Sequence, residues 1–143
     1  MQAAIPIFVL ACLAASEALA EACHVIAEPS STAVPAVAEE LCYEFSGVDE
    51  GTIDWACGDQ GGTMIDQRQE RVAKCATGSV GRCEAALTQE TLSNYRSFDE
   101  NQGKPRPAVP NDARVITHYY RGDDLKQVRI DCQSSGGTWR EEP

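Results

Sequence analysis

Residues 116–139 read ITHYYRGDDLKQVRIDCQSSGGTW, and residues 41–64 read LCYEFSGVDEGTIDWACGDQGGTM. The two stretches align without a gap at a constant offset of 75 residues. Identical pairs are Gly47/Gly122, Asp49/Asp124, Cys57/Cys132, Gly61/Gly136, Gly62/Gly137 and Thr63/Thr138. Leu41/Ile116, Phe45/Tyr120, Ile53/Val128, Trp55/Ile130 and Met64/Trp139 are similar in character. Self-similarity of this kind reads as a duplicated unit.

Each copy reads as strand, turn, helix, stop, strand. His118-Tyr119-Tyr120 is β-prone and Gly122 turns the chain. Asp123 is placed to cap a helix, with Asp124 favourable near its positive end. Leu125, Val128 and Cys132 fall at i, i+3 and i+7, on one helical face. Gly136 stands where a helix end calls for positive φ. Thr138-Trp139 then begins a short strand. The runs Ile53-Trp55-Cys57 and Val128-Ile130-Cys132 also alternate with period two. The Asp start and Gly-Gly stop favour helix over strand. The fold expectation is therefore α+β: one small disulfide-stapled domain of two repeated β-α-β units on a mostly antiparallel sheet.

Outward from the repeat, the chain of 143 residues is enough for one domain. Residues 3–15, AAIPIFVLACLAA, are too short to span a bilayer, which takes about 20 apolar residues. With Ala18-Leu19-Ala20 behind them they fit a secretory signal over residues 1–20, although no base precedes the apolar run. The alternative is a lipoprotein, with Val9-Leu10-Ala11 leading to a lipid anchor at Cys12. Residues 21–40, rich in Ala, Pro and Ser, read as an extended, mostly loop segment ahead of the repeat domain at 41–143. Residues 97–113, with Pro105, Pro107 and Pro110, read as a loop. Residues 84–95 favour helix over an edge strand.

With Cys12 in the signal, six cysteines remain: Cys23, Cys42, Cys57, Cys75, Cys83 and Cys132. An even number in an exported chain reads as three disulfides, and six cysteines allow 15 connectivities. Cys75 and Cys83 are close in sequence and expected on neighbouring strands, where they can pair. Cys42 aligns with Thr117, so the bridges are expected to differ between the copies, with Cys57 and Cys132 joined to dissimilar partners. No C-x-x-C pair exists and the chain has two histidines. Neither a zinc site nor thioredoxin-type chemistry is therefore expected.

The motif run is Cys57-x-x-x-Gly61-Gly62-Thr63, Cys75, Gly81-x-Cys83, Tyr119-Tyr120 and Cys132-x-x-x-Gly136-Gly137-Thr138-Trp139. It resembles small exported bacterial proteins, many of them lipoproteins, that carry repeated C-x3-G-G-T-[WF] motifs. The resemblance spans residues 42–140. It implies an envelope or secreted location and transfers no activity.

The formal net charge of −10 argues against a nucleic-acid partner and against docking on anionic lipid. Candidate chemistry is sparse. Arg121-Gly122-Asp123 is an RGD tripeptide, explained equally by turn and cap. His118 is the one candidate general base, and no G-x-S-x-G surrounds any serine. The pairs Asp49-Glu50, Asp123-Asp124 and Glu141-Glu142 lack calcium-loop spacing. Tyr119 and Tyr120, with Lys104 and Arg106 on the 97–113 loop, are the candidate binding residues for a protein or glycan partner. The expected function is an exported non-catalytic binding or structural module without cofactor, secreted or periplasmic. Alternatives are an inhibitor or toxin-like effector acting through loop 97–113, and a small hydrolase using His118.

Overall fold

The structure is a computed structural model that describes residues 22–29, 39–58, 65–94, 106–121 and 124–142. Six strands form one sheet: β1 (Ala22–Pro29), β2 (Glu39–Ser46), β3 (Ile65–Val72), β4 (Gly81–Ala86), β5 (Arg114–Arg121) and β6 (Thr138–Glu141). Helix α1 (Glu50–Ala56) joins β2 to β3, α2 (Gln89–Asn94) follows β4, and α3 (Leu125–Ser134) joins β5 to β6. The spatial order is β3-β1-β2-β5-β4-β6, and every neighbouring pair is antiparallel. It follows that β2 and β3 run in the same direction with β1 between them. Likewise β5 and β6 run in the same direction with β4 between them.

The conflict between helical and strand periodicity resolves as helix in both places, and the caps give the reason. Asp49 accepts from the Thr52 backbone N–H at 3.0 Å, and its N-cap backbone is extended. Asp124, not Asp123, caps α3, accepting from Gln127 N–H at 2.9 Å. Each cap satisfies one of the donors that a helix start leaves unpaired. Gly136 has φ +84°, the conformation expected of a glycine just past a helix end. Residues 61–64 and 122–123 lie outside the described residues, so the first Gly-Gly stop, the Gly122 turn and the central part of RGD do too.

Two local expectations need correction. Residues 22–29 are not loop: β1 is an interior strand, paired on both sides from Ala22 to Ala27. Val25 and Ala27 alternate with His24 and Ile26, which suits a strand with one face in the core. Residues 84–86 complete β4, and among the described residues of this segment 89–94 are helical. Pairing along β5 outweighs the local helix preference of Glu84, Ala85 and Ala86.

Alternation along the strands divides the sheet into two faces. The helix-covered face carries Cys23 and Val25, then Leu41, Tyr43 and Phe45, then Val115, Thr117 and Tyr119. Phe45 and Val115 pack with Ile53 and Ala56 of α1, Leu92 of α2, and Leu87 and Ala113. Complete burial of a side chain such as Leu92 is worth about 1.5–3 kcal/mol. Gly81 is fixed by close packing on this face, because a Cβ there would run into the Trp139 ring.

Three disulfides close the fold: Cys23–Cys57, Cys42–Cys75 and Cys83–Cys132. The suggested Cys75–Cys83 bridge is therefore corrected. The expectation of dissimilar anchoring is corrected as well. Cys57 ties α1 to β1, the strand beside β2, and Cys132 ties α3 to β4, the strand beside β5. The Cys42/Thr117 mismatch in the alignment concerns only the third bridge. Three disulfides suggest an oxidising environment, extracellular or periplasmic. Among the described residues no helix is long and apolar enough to cross a membrane.

Candidate functional site

Among the described residues the opposite face of the sheet carries no helix across its centre, and the polar chemistry gathers there. Cys42 of β2 stands between His24 of β1 and His118 of β5, each its direct cross-strand partner. Both histidines of the chain thus lie in one row over three strands. Glu40 and Glu44 sit two residues to either side of Cys42, so the pleat brings them to the same face. His24 Nε2 lies 2.9 Å from Glu40 Oε1. His118 Nε2 lies 3.5 Å from Glu44 Oε2, is buried, and makes no hydrogen bond.

The segment between β3 and β4 folds back over this row. The Cys42–Cys75 bridge pins it, the Cys75 N–H donates to Glu44 Oε1 at 2.8 Å, and Tyr120 donates its hydroxyl to Ala76 O at 2.5 Å. Between segment and sheet lies an open cleft of about 300 Å³, lined by His24, Glu40, Cys42, Val72, Lys74, Ala76, Thr77 and Tyr120. The Tyr120 ring meets His24 edge-on, centroids 6.4 Å apart. Partial burial and then the carboxylates of Glu44, Glu40 and Glu142 raise the Tyr120 pKa, so this phenol stays a neutral donor at physiological pH.

The three candidate binding residues that the structure describes do not converge. Tyr120 lines the cleft, whereas Tyr119 faces the helices and packs near Leu41, Cys57 and Trp139. Burial, first, and the Glu39 charge raise the Tyr119 pKa. Arg106 is exposed at the start of the described part of the proline-rich loop, and Lys104 lies outside the described residues. The end of that loop is fastened to α2, where the Gln89 amide donates to Pro107 O and accepts from Val109 N–H. His118 is only 12% exposed, and among the described residues neither histidine hydrogen-bonds to a serine, threonine or cysteine. The acidic pairs serve local roles: Asp49 and Asp124 are caps, Glu141 pairs with Arg129, and Glu142 with Arg82 and Ser79.

No local motif marks His24, Glu40 or Glu44 in the sequence. Their grouping depends on pairing β1 with β2 and β2 with β5, across as many as 94 positions of chain. A count of two histidines was the one visible clue. The metal expectation also rested on local spacing. Donor atoms of Glu44, Cys75 and His118 lie within 4.8 Å of one another, brought together from three separate segments.

Fold and site define a disulfide-stapled α+β domain with one helix-covered and one open sheet face. Compared with protein-family models, curated proteins and solved structures, the chain finds no match.

Proposed function

We propose that this protein is an exported, non-catalytic binding module of the cell envelope or extracellular space, and that it binds through the open face of its sheet. The observation that carries the reading is the cleft over the His24–Cys42–His118 row. It offers acceptors at Glu40, donors at His24, Lys74 and Thr77, and an aromatic wall at Tyr120. That mixture suits a small polar group of a protein or glycan partner, a sugar ring or a peptide side chain. Among the described residues neither histidine hydrogen-bonds to a hydroxyl or thiol nucleophile, so the contacts favour recognition over hydrolysis.

The scaffold reading goes with it. The halves β1-β2-α1-β3 and β4-α2-β5-α3-β6 are two copies of one strand-helix-strand unit, set about the β2–β5 pair. Equal strand spans, 39–46 and 114–121, and caps at Asp49 and Asp124 support this at the offset of 75. So does the matching of Cys23–Cys57 with Cys83–Cys132.

A photo-crosslinking residue placed at Thr77, beside the cleft, tests the binding reading against one placed at Gln133 on α3. We expect a defined envelope adduct from position 77 and little from position 133. Deletion of residues 100–110 should leave that adduct in place. Equal labelling at both positions, or loss of the adduct on deletion, removes the basis of the reading.

A further inference from the structure

Among the described residues, one of the three disulfides lies among metal-ligating side chains. Cys23–Cys57 packs with Val25, Leu41, Tyr43 and Tyr119. A Cβ on Gly137 would touch both sulfurs of Cys83–Cys132, so that bridge is enclosed by backbone. Cys42–Cys75 instead has His118 directly across from Cys42 and the Glu44 carboxylate on the Cys75 N–H. His118 Nε2 is buried beside it without a hydrogen bond, a cost that native structures rarely carry unrelieved.

We propose that Cys42, Cys75, Glu44 and His118 form a metal site of the zinc class that alternates with the Cys42–Cys75 disulfide. This goes beyond the cleft reading and does not depend on it. While the bridge is intact its sulfurs are not thiolates and hold a divalent cation poorly. A thiol reductant opens it: the Sγ–Sγ bond breaks, two reductant sulfurs join in a disulfide of their own, and two protons pass to Cys42 and Cys75. A divalent cation then displaces those protons to solvent, and two sulfur–metal bonds form.

The donor set is two sulfurs, one imidazole and one carboxylate, a combination that zinc and cobalt accept. Metal–ligand distances of about 2.0–2.3 Å put tetrahedral donors about 3.3–3.8 Å apart. The Glu44, Cys75 and His118 donors, now within 4.8 Å, need to close by about 1 Å, while the two sulfurs part. The Cys75 N–H on the far oxygen of Glu44 is the kind of outer contact that orients a metal-bound carboxylate. For His118, a cation gives the buried Nε2 a bond in place of its 3.5 Å contact with Glu44 Oε2.

The test reduces the folded three-disulfide protein with a phosphine in the presence of Co²⁺, then maps cysteine alkylation. We expect one equivalent of Co²⁺ with a thiolate charge-transfer band. Cys42 and Cys75 alone should be protected, and a chelator should release them. The Cys42→Ser/Cys75→Ser variant, which retains the other four cysteines, should lose the band under the same treatment. His118→Gln should weaken binding by about 10-fold or more. Equal alkylation of all six cysteines with and without metal overturns the proposal, and this outcome includes a reduced chain that simply unfolds. Parent affinity in His118→Gln, or protection of another pair, overturns it as well.

Discussion

Cys23–Cys57 and Cys42–Cys75 close loops of nearly equal length, 34 and 33 residues, on opposite faces of the same sheet. The first, with Cys83–Cys132, fastens a short helix over an apolar face. The second fastens an irregular segment over a row of histidines and glutamates. Chain entropy treats the bridges almost alike, so the difference between the faces lies in what each bridge positions. A seven-residue helix such as α1 is too short to persist alone in water. Its cap and its bridge to β1 hold it where its apolar residues enter the core. On the open face the bridge orders Cys75, Ala76 and Thr77 around polar groups instead.

The largest effect that tests this contrast is removal of whole bridges. Each double alanine variant should lose about 4 kcal/mol of stability in urea unfolding, by loop-closure entropy. The contrast predicts different residual structures. Cys23→Ala/Cys57→Ala should also lose helical circular dichroism, whereas Cys42→Ala/Cys75→Ala should keep it. Equal helix loss in both variants breaks the comparison.

An effect confined to one side chain comes from truncation. Leu92 is fully buried on the helix face, and Leu92→Ala should cost about 2–5 kcal/mol. Ile116, half-buried on the open face, should cost clearly less on the same change. Denaturant midpoints of the two variants check the ranking.

The mildest probe is alkaline titration. Burial, with the nearby Tyr119 and Glu39 charges, pushes the Tyr43 pKa well above its usual value, and burial raises Tyr119 as well. Above the ordinary tyrosine pKa of about 10 the unfolded chain releases these protons while the folded chain retains them. Folded protein then binds more protons, so stability is full below about pH 10 and falls as pH rises beyond it. Replacing Tyr43 by Phe should flatten that fall, and an unchanged slope would show that the helix face does not control it.

Much of the fold was legible because its signals are local. Asp49 and Asp124 stand next to the helices they cap, Gly136 marks a helix end, and the offset of 75 aligns both strands and both helices. The alignment misleads along the whole strand, because Leu41, Tyr43 and Phe45 face the helices while their matches Ile116, His118 and Tyr120 face away, and a bulge at Tyr120 explains it. Register shifts where Glu40 meets Arg121 and Leu41 meets Tyr119, leaving Tyr120 unopposed. Phe45 and Tyr120 match in sequence but point to opposite faces, Phe45 into the core against Ile53 and Tyr120 toward Cys42–Cys75. One extra strand residue reverses a side chain's face, and no local pattern records it.

By itself the sequence determined the cysteine count, the helical character of 50–56 and 125–134, the Gly136 stop and the acidic character. These follow from residue chemistry and from spacings of a few positions. Tertiary structure alone decided which cysteines pair, that β1 is an interior strand, and that His24, Glu40, Glu44, His118 and Tyr120 share one face. Those outcomes depend on strand order and register. Both are set by burying one apolar face over contacts that join distant parts of the chain, and that energy belongs to the whole sheet rather than to any segment of it.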